Sequence, residues 1–452
     1  MSARGPIPGL IPGLIIAAPA SGSGKTILTS ALLRMLVRRG LRVGAAKLGP
    51  DYIDPGFHGL AAGSSCLNID LWAMRPSTVS DLLDRLNRNS DIAIVEGVMG
   101  LFDGAADGTG STADFAGLTG WPVILVVDAR GQAASAGALV RGFAGHRPGI
   151  DIAGVIFNRV GGAAHGAMLR AAVEELGIPV LGLVARDDRL VLPERHLGLV
   201  QASEHGDIQQ ILDRAAERFA ASVDVDALLA LARPMTTSAS PATGCSIAPL
   251  GQRIAVASDA AFAFAYPALL EGWRSTGAEV LPFSPLAGEA PAGEADAVYL
   301  PGGYPELYAG RLAANTAFLG GLRQAAARGA AIFGECGGYM VLGEFLSDAQ
   351  GTRHAMAGLL PLHSSFANSH LHLGYRQVRT LAAGPLGEAG ACFRGHEFHY
   401  ASAFDEGPGD ALFDCVDARG AKLGATGRRR GLVLGSFIHL IDRGKAQPVS
   451  AR

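Results

Sequence analysis

A short apolar run near the amino terminus leads directly into a turn rich in glycine and serine. Leu14–Ala18 is typical of a buried strand, Pro19–Thr26 of a turn and Thr26–Arg39 of a helix. This order of elements directs backbone N–H groups and the positive end of a helix toward one anion. It predicts a phosphate-binding loop on an α/β sheet, with Pro19 where the standard pattern has glycine.

Five residues of this turn carry the predicted chemistry. Gly22, Ser23 and Gly24 form the cradle, because glycines let successive N–H groups converge on a phosphate. Lys25 is placed to reach the β and γ phosphates, and the hydroxyl of Thr26 is placed to ligate magnesium. The sequence therefore predicts a bound nucleotide together with Mg²⁺.

Further apolar runs alternate with helix-like segments along the chain. This alternation predicts a doubly wound parallel sheet, and the pattern restarts after a stretch rich in Pro, Ser and Thr. We expect a nucleotide-binding domain over residues 1–232, a linker over 233–251 and a second α/β domain over 252–445. The predicted strands are Leu14–Ala18, Arg42–Lys47, Ile92–Glu96, Val123–Asp128, Ile152–Phe157, Val180–Val184, Arg253–Ser258, Glu279–Phe283, Ala297–Pro301 and Ala330–Gly334.

Composition excludes several classes of protein. The 452 residues, 49% hydrophobic and 17% charged, fit two or three packed domains. The apolar stretch Leu10–Ala20 is too short for a membrane helix and lacks the flanks of a signal peptide. A net charge of −3 argues against a basic nucleic-acid-binding surface, and five cysteines without a CxxC pair argue against disulfides and zinc. We expect a cytoplasmic protein without nucleic-acid or membrane partners.

Acidic side chains follow the predicted strands. Glu96 ends an apolar strand, where a magnesium-organising carboxylate is usual. Asp51 and Asp54 lie in a proline-bounded loop after the second strand, and Asp103 follows Glu96 in a glycine-rich segment. Each of these acids alone also fits a solvated loop residue or a helix cap.

The second half contains a candidate nucleophile. Cys336 stands between glycines, after the strand Ala330–Gly334 and before a helix, which is the elbow arrangement of nucleophilic enzymes. The helix start is expected to lower the thiol pKa. Gly302 and Gly303 offer backbone N–H groups for an oxyanion hole, and His439 is the candidate base. A buried structural thiol and an ordinary strand-end histidine are the alternatives.

Two groups of histidines are harder to interpret. Gly395–Tyr400 reads Gly-His-Glu-Phe-His-Tyr, which lacks the helical spacing of a metal-binding pair. We expect it to form a site wall or an interface. His363, His370 and His372 fit either an acidic ligand or a solvated loop.

Seven motifs are specific when taken together. They are Pro19–Thr26, Gly49–His58, Asn68–Met74, Glu96–Gly104, Pro301–Glu306, Gly334–Tyr339 and Gly395–Tyr400. Their combination resembles the cobyrinic or hydrogenobyrinic acid a,c-diamide synthases over nearly the whole chain. The resemblance implies a dethiobiotin-synthetase-like amidoligase domain followed by a class I glutamine amidotransferase domain. Glutamine would be hydrolysed at Cys336, and MgATP would activate the a and c carboxylates of a corrinoid for attack by ammonia.

The resemblance also implies roles for individual residues. Lys25 and Thr26 would hold the phosphates and the metal, with Asp51 and Glu96 on magnesium. Asn158 matches a position that touches the nucleobase in related folds.

A second set of residues would contact the corrinoid. Tyr52, Ile53, Asp54 and Asp103 would shape the site where the carboxylate is activated, with Asp54 and Asp103 as catalytic residues. A basic surface for the acidic substrate is expected among Arg159, Arg186, Arg189, Arg195 and His196, which fit ordinary loop charges equally well.

One departure from related amidotransferases concerns the base. Many class I enzymes have a glutamate two residues after the histidine, whereas His439 is followed by Leu-Ile. Asp442 or a backbone carbonyl is left as the orienting partner of His439.

The alternative functions are cobyric acid synthase, a nickel-tetrapyrrole diamide synthase, a regulatory ATPase with an inert second domain and a CTP-synthase-like ligase. The cobalt content of the corrinoid, the order of amidation and the choice of ATP or GTP are open, and a homodimer is the expected assembly.

Overall fold

A computed structural model describes residues 10–88, 90–187, 194–195, 198–204, 206–236, 245–367, 370–406 and 409–444. These residues form two compact units. The first contains residues up to 72 and from 79 to 236, and the second contains residues 73–78 and those from 245 onward. The short segment Ala73–Thr78 is thus grouped with the second half of the chain, which the sequence did not indicate.

The first unit is built on one largely parallel sheet. The strands of this unit are β1 (Pro12–Ala17), β2 (Val43–Leu48), β3 (Leu67–Ile69), β4 (Ile92–Glu96), β5 (Val123–Asp128), β6 (Ile152–Val160), β7 (Val180–Ala185), β8 (Glu194–Arg195), β9 (Gly198–Leu199) and β10 (Arg233–Pro234). Strands β8 and β9 pair with each other in a separate two-stranded sheet. The helices of this unit are α1 (Lys25–Arg38), α2 (Asp54–Ala62), α3 (Pro76–Arg88, whose first three residues fall in the second unit), α4 (Thr112–Thr119), α5 (Ser135–His146), α6 (Ala163–Glu174), α7 (Ile208–Ser222) and α8 (Val225–Ala230).

The strand order of this sheet positions the first site. The sheet runs β3-β2-β4-β1-β5-β6-β7, and its central strands are buried along nearly their whole length, as a sheet covered on both faces requires. Strands β2, β4 and β1 are parallel neighbours. The segments after their carboxyl ends therefore meet at one edge of the sheet, where ligands bind in open α/β folds.

The predicted linker is described only at its two ends. Arg233 and Pro234 form β10, which pairs antiparallel with Gly13 and Pro12. Residues 237–244 lie outside the described part of the chain. The domain boundaries remain a prediction.

The second unit combines a parallel and an antiparallel half in one sheet. Its strands are β11 (Arg253–Ala257), β12 (Glu279–Phe283), β13 (Ala297–Leu300), β14 (Ala331–Glu335), β15 (Phe345–Ser347), β16 (Arg353–Ala355), β17 (Leu362–Ser365), β18 (His372–Thr380), β19 (Cys392–His399), β20 (Ser402–Glu406), β21 (Asp410–Asp417), β22 (Lys422–Arg430), β23 (Val433–Ser436) and β24 (Ile438–Arg443). Its helices are α9 (Pro267–Ser275), α10 (Ala309–Ala314), α11 (Thr316–Ala327) and α12 (Gly337–Leu342).

The order of the large sheet is β12-β11-β13-β14-β23-β22-β21-β18-β19-β24. Strands β12 to β23 in this order are parallel, and the remainder pair antiparallel. A smaller sheet, β16-β15-β17-β20, adds to the same unit. The α/β class and every predicted strand are confirmed. Strands β3, β8, β9 and β10 of the first unit and the strands from β15 to β22 of the second were not predicted.

No helix in the described part of the chain is long and apolar enough to cross a membrane.

Candidate active sites

The glycine-rich turn of the first unit has the backbone of a phosphate-binding loop. Gly22 and Gly24 have φ values of 75° and 90°, a left-handed conformation that favours glycine. Lys25 Nζ reaches back across the turn and donates to the carbonyl oxygens of Ala20 at 3.3 Å and Met99 at 2.8 Å. Burial lowers the pKa of Lys25. The loop is therefore closed over its lysine, whose contacts are to neutral carbonyls.

Two side chains from the end of β6 support the loop from the side. Asn158 Nδ2 donates to the carbonyl of Ser23 at 2.9 Å, and its Oδ1 accepts from the backbone N–H of Arg159. The Arg159 guanidinium donates to the carbonyl of Gly22 at 2.7 Å and to Asp128 at 2.6 Å. The contact of Asn158 with a nucleobase stays a prediction, because in this structure its amide holds the loop.

A cavity of about 680 Å³ opens over the loop, a size suited to a small-molecule ligand. Its lining combines the loop, the acidic residues and basic side chains: Gly22, Gly24, Lys25, Thr26, Lys47, Asp51, Asp54, Glu96, Asn158, Arg159 and Arg186 are among them.

Three of the oxygen-bearing side chains converge beside Lys25. Thr26 Oγ1 lies 3.1 Å from Asp54 Oδ2 and 3.2 Å from Glu96 Oε1. Asp51 lies further out, since its Oδ1 accepts the backbone N–H groups of Ile53 and Asp54 at the start of α2. The geometry thus favours Asp54 over Asp51 as the carboxylate that shares Thr26 with Glu96.

A buried lysine joins these carboxylates. Lys47 Nζ lies 2.6 Å from Asp54 Oδ2 and 2.7 Å from Glu96 Oε1. Burial alone would lower the pKa of Lys47, but Asp54 and Glu96 raise it well above its ordinary value. Burial opposes ionisation of Glu96, yet Lys47 and His58 hold the pKa of Glu96 well below its usual range. Burial and the neighbouring Asp51 raise the pKa of Asp54 to about 7 despite Lys47.

Sequence reasoning gave no role to Lys47 or to His58. His58 Nε2 lies 2.6 Å from Glu96 Oε2, and its Nδ1 lies 2.9 Å from the hydroxyl of Ser30 on α1. A lysine near the end of an otherwise apolar strand is a signal that would have indicated Lys47. His58 follows Asp54 by one helical turn, so the two share a face of α2.

The remaining predicted residues of this site are described by their local contacts and their exposure to solvent. Asp103 is exposed, and its Oδ2 accepts the backbone N–H of Gly100 at 2.9 Å. Ile53 is buried at 6% exposure and Tyr52 is half-buried. Their contacts with a substrate stay predictions. Arg189, His196 and the side chain of Arg195 lie outside the described residues.

In the second unit the candidate nucleophile occupies a sharp turn. Cys336 joins β14 to α12 with φ 48° and ψ −106°, a strained backbone for a residue other than glycine. A Cβ on Gly338 would overlap the carbonyl of Leu300, so the turn packs closely on β13. The strained conformation fits the predicted elbow.

Gly302 lies between the thiol and the imidazole. A Cβ on Gly302 would overlap Cε1 of His439 and would lie 3.2 Å from Cβ of Cys336. The structure therefore brings Cys336, His439 and the predicted oxyanion loop together. The backbone nitrogen of Gly303 lies 3.1 Å from the position of a Cβ on Gly337, next to the nucleophile.

The surroundings of the Cys336 thiol and of the His439 imidazole favour the neutral form of each group. Burial and the nearby Glu306 raise the pKa of Cys336 well above its ordinary value, so the expected lowering by the helix start is wrong. Helix α12 has only six residues, and burial outweighs its N-terminal dipole. Burial, His396 and His399 lower the pKa of His439. A neutral imidazole can accept the thiol proton during attack.

A glutamate beside the nucleophile holds the backbone that carries His439. Glu335 Oε1 accepts the N–H of Leu440 at 2.8 Å, and its Oε2 accepts the hydroxyl of Tyr299 at 2.7 Å. The N–H of Cys336 donates to the carbonyl of Ser436 at 2.8 Å. Two hydrogen bonds thus tie the elbow to the run that bears His439.

Asp442 does not orient His439. Its carboxylate accepts from the backbone N–H of Arg75 at 2.8 Å, from Arg75 Nε at 3.0 Å and from the hydroxyl of Thr78 at 2.6 Å. The ring of His439 instead stacks on His396, with centroids 4.9 Å apart.

Both halves of the chain match known protein families. Residues 14–200 match the CobQ/CobB/MinD/ParA nucleotide binding domain, and residues 253–446 match the CobB/CobQ-like glutamine amidotransferase domain. A hydrogenobyrinate a,c-diamide synthase from Brucella anthropi is 54% identical over 432 residues, covering 95% of this chain and 98% of the relative. The chain belongs to the hydrogenobyrinate a,c-diamide synthase family. Members from Rhizobium meliloti and Agrobacterium fabrum are 53% and 49% identical, each over 434 residues that cover 95% of this chain and 99% of the relative. This family member is therefore a glutamine-hydrolysing amidoligase.

Gly302 provides a direct test of the second site in this family member. Replacing Gly302 with alanine should lower glutaminase kcat/KM by ~100-fold or more, because the added methyl would displace His439 from Cys336. Steady-state glutamate release measures the effect, and Gly320→Ala is the control because a Cβ there meets open space. Wild-type glutaminase activity in Gly302→Ala would contradict the described geometry.

Glu335 should make stability depend on pH. Burial raises the pKa of Glu335 to about 7, against the opposing hydrogen bonds from Leu440 and Tyr299. The folded state therefore holds a proton that the unfolded state loses near pH 4.5, and the free energy of unfolding should fall as pH rises from about 4.5 through about 7. In Glu335→Gln the amide oxygen can accept the N–H of Leu440 and the amide nitrogen can donate to the hydroxyl oxygen of Tyr299. This side chain does not ionise, so the urea-unfolding curves of the variant should lose the pH dependence. If the free energy of unfolding of Glu335→Gln kept the same pH dependence as the wild type, groups other than Glu335 would cause that dependence.

Proposed function

We propose that this chain converts the a and c carboxylates of hydrogenobyrinate into amides, with ATP as phosphoryl donor and glutamine as nitrogen source. The observation that carries the proposal is the presence of two built sites, one in each unit. The first joins a phosphate-binding loop to convergent carboxylates, and the second joins a cysteine elbow to a histidine. Each named relative is a hydrogenobyrinate a,c-diamide synthase.

The first site suits activation of a carboxylate. A carboxylate is a poor electrophile because its oxygen is a poor leaving group. Transfer of the ATP γ-phosphoryl group gives an acyl phosphate and ADP, and phosphate then leaves when ammonia attacks the carbonyl carbon. Lys25 is placed to neutralise charge on the transferred group, and Gly22 and Gly24 direct backbone N–H groups at the phosphates.

The donor set beside the loop fits magnesium. The Thr26 hydroxyl and the carboxylates of Asp54 and Glu96 are hard oxygen ligands, and both carboxylates have an oxygen within 3.2 Å of Thr26 Oγ1. Bound Mg²⁺ would neutralise charge on the nucleotide phosphates. Lys47 and His58 would keep Glu96 ionised and fixed in place.

The second site suits glutamine hydrolysis. His439 takes the Cys336 proton as Sγ attacks the amide carbon, and the developing oxyanion faces the backbone N–H of Gly303. The proton then passes to the departing ammonia, which leaves a thioester for water to hydrolyse. Ammonia released in this way is unprotonated and can act as a nucleophile, whereas free ammonia in solution is mostly ammonium at neutral pH.

Mass spectrometry of the product tests the proposal. Purified protein, glutamine and MgATP should convert two carboxyl groups of hydrogenobyrinate into amides, and omission of ATP should prevent both conversions. A parallel reaction with cobyrinic acid, the cobalt-containing counterpart, shows which corrinoid is preferred. Glutaminase activity without conversion of either corrinoid would contradict the proposed acceptor and would leave the amidoligase chemistry standing.

A further inference from the structure

A cluster of two histidines and a glutamate lies on the antiparallel half of the second unit. Strands β18 and β19 pair with His372 directly opposite His399. Glu397 precedes His399 by two residues, so both side chains lie on one face of β19. One ligand atom from each of His372, Glu397 and His399 lies within 4.8 Å of the others. The spacing that argued against a helical metal site thus brings donors together on a strand.

The hydrogen bonds of His399 prepare one ring nitrogen for a cation. Its Nδ1 lies 3.0 Å from the carbonyl oxygen of Ala401, and a carbonyl only accepts, so Nδ1 carries the hydrogen. In the neutral ring Nε2 then presents a lone pair, and it lies 3.0 Å from Oε1 of the Glu397 carboxylate. The cation that these two atoms share can be the proton of an imidazolium or a metal ion, and titration with a metal ion distinguishes the two. A backbone carbonyl on the second nitrogen is the usual support of a metal-ligating histidine.

Glu397 and His372 are the other two members of the cluster. Arg376 binds Glu397 Oε2, with both Nε and a terminal guanidinium nitrogen at 2.8 Å, which fixes the carboxylate and leaves Oε1 for the cluster. The ring of His372 is stacked parallel to that of His399, with centroids 4.7 Å apart, so binding of one ion by both rings requires the His372 side chain to rotate. His372 is exposed, so it opens the cluster to ions in solution.

We propose that His372, Glu397 and His399 bind a divalent transition-metal cation of the Zn²⁺ or Co²⁺ class. Two imidazole nitrogens and one carboxylate oxygen suit these ions and leave further coordination positions for water. The cluster lies next to the nucleophile: the carbonyl of Phe398, between Glu397 and His399, accepts the Cys336 thiol at 3.8 Å. A bound ion would hold the strand that carries this carbonyl. The site is independent of the proposed substrate of the enzyme.

Titration of the metal-free full-length protein with Co²⁺, in excess Mg²⁺, tests the site by visible absorption. One equivalent should produce saturable d–d bands of a low-coordinate ion, and Zn²⁺ should displace them. His372→Ala should weaken Co²⁺ binding at least ~10-fold, as loss of even a supporting partner does in metal sites. The exposed position of His372 makes this variant suitable for a folding check by its thermal melt.

Two controls separate this cluster from other donors. His354→Ala removes a histidine that pairs with Asp348 elsewhere in the unit, and Cys336→Ala removes the thiol. Both variants should titrate like the wild type. Absence of saturable bands in the wild type, or wild-type binding by folded His372→Ala, would overturn the proposal, and loss of the bands in Cys336→Ala would assign the ion to the nucleophile instead.

Discussion

Replacing Cys336 with alanine should abolish glutamine-dependent amidation while amidation supported by added ammonium chloride persists. The thiol is the only group placed to form the thioester among the described residues around Gly302, so kcat with glutamine should fall by at least ~10³-fold. The phosphate-binding loop belongs to the other unit and is unchanged by the substitution. Product formation with each nitrogen source, measured under saturating MgATP, gives the comparison.

Cys392→Ala is the matched control, since Cys392 lies in the same unit and its thiol donates to the carbonyl of Gly390. It should support glutamine-dependent activity at the wild-type rate. Full glutamine-dependent activity in Cys336→Ala would remove Cys336 from the mechanism. Loss of the ammonia-dependent reaction as well would show that the substitution damages more than the glutaminase site.

Replacing Lys47 with methionine should both inactivate the first site and destabilise it. The carboxylates of Glu96 and Asp54 would remain buried without their shared cation, and breaking a buried pair in this way costs about 3–5 kcal/mol. Urea unfolding at neutral pH measures the loss. Lowering the pH should restore part of it, because protonation of the two carboxyl groups removes the unpaired charges.

Lys25→Met separates the two effects. Lys25 donates to the carbonyl oxygens of Ala20 and Met99, so its removal leaves no buried carboxylate without a partner. This variant should lose phosphoryl transfer with a stability change of only about 1 kcal/mol per hydrogen bond. Equal stabilities of Lys47→Met and Lys25→Met would show that the contacts of Lys47 with Glu96 and Asp54 contribute little.

The sequence predicted those parts of the fold that depend on local pattern. The apolar runs of the parallel strands and the glycine positions of both loops are visible without structure, because each reflects the backbone of its own segment. The antiparallel strands β18 and β19 carry mixed polar residues with half-buried faces, and their pairing depends on contacts distant in sequence.

The same distinction applies to the site residues. Thr26 and Glu96 follow from their places after β1 and at the end of β4, and they do meet. Asp54 lies closer than Asp51 to Thr26 because the Asp51 carboxylate accepts the backbone N–H groups of Ile53 and Asp54 at the start of α2. The spacing of these residues in the sequence does not reveal that contact. The raised pKa of Cys336 depends on burial by distant segments, whereas the sequence showed only the adjoining helix.

The placement of Ala73–Thr78 with the second unit restricts how genes of this kind can recombine. Asp442 is fully buried, and its carboxylate accepts hydrogen bonds from Arg75 and Thr78, which lie 367 and 364 residues earlier in the sequence. A chimera joined once between positions 236 and 245 would combine the Asp442 of one parent with the residue at position 75 of the other. Such an exchange should yield a stable glutaminase half only when both parents carry the same pairing, so these distant codons should be inherited as a set.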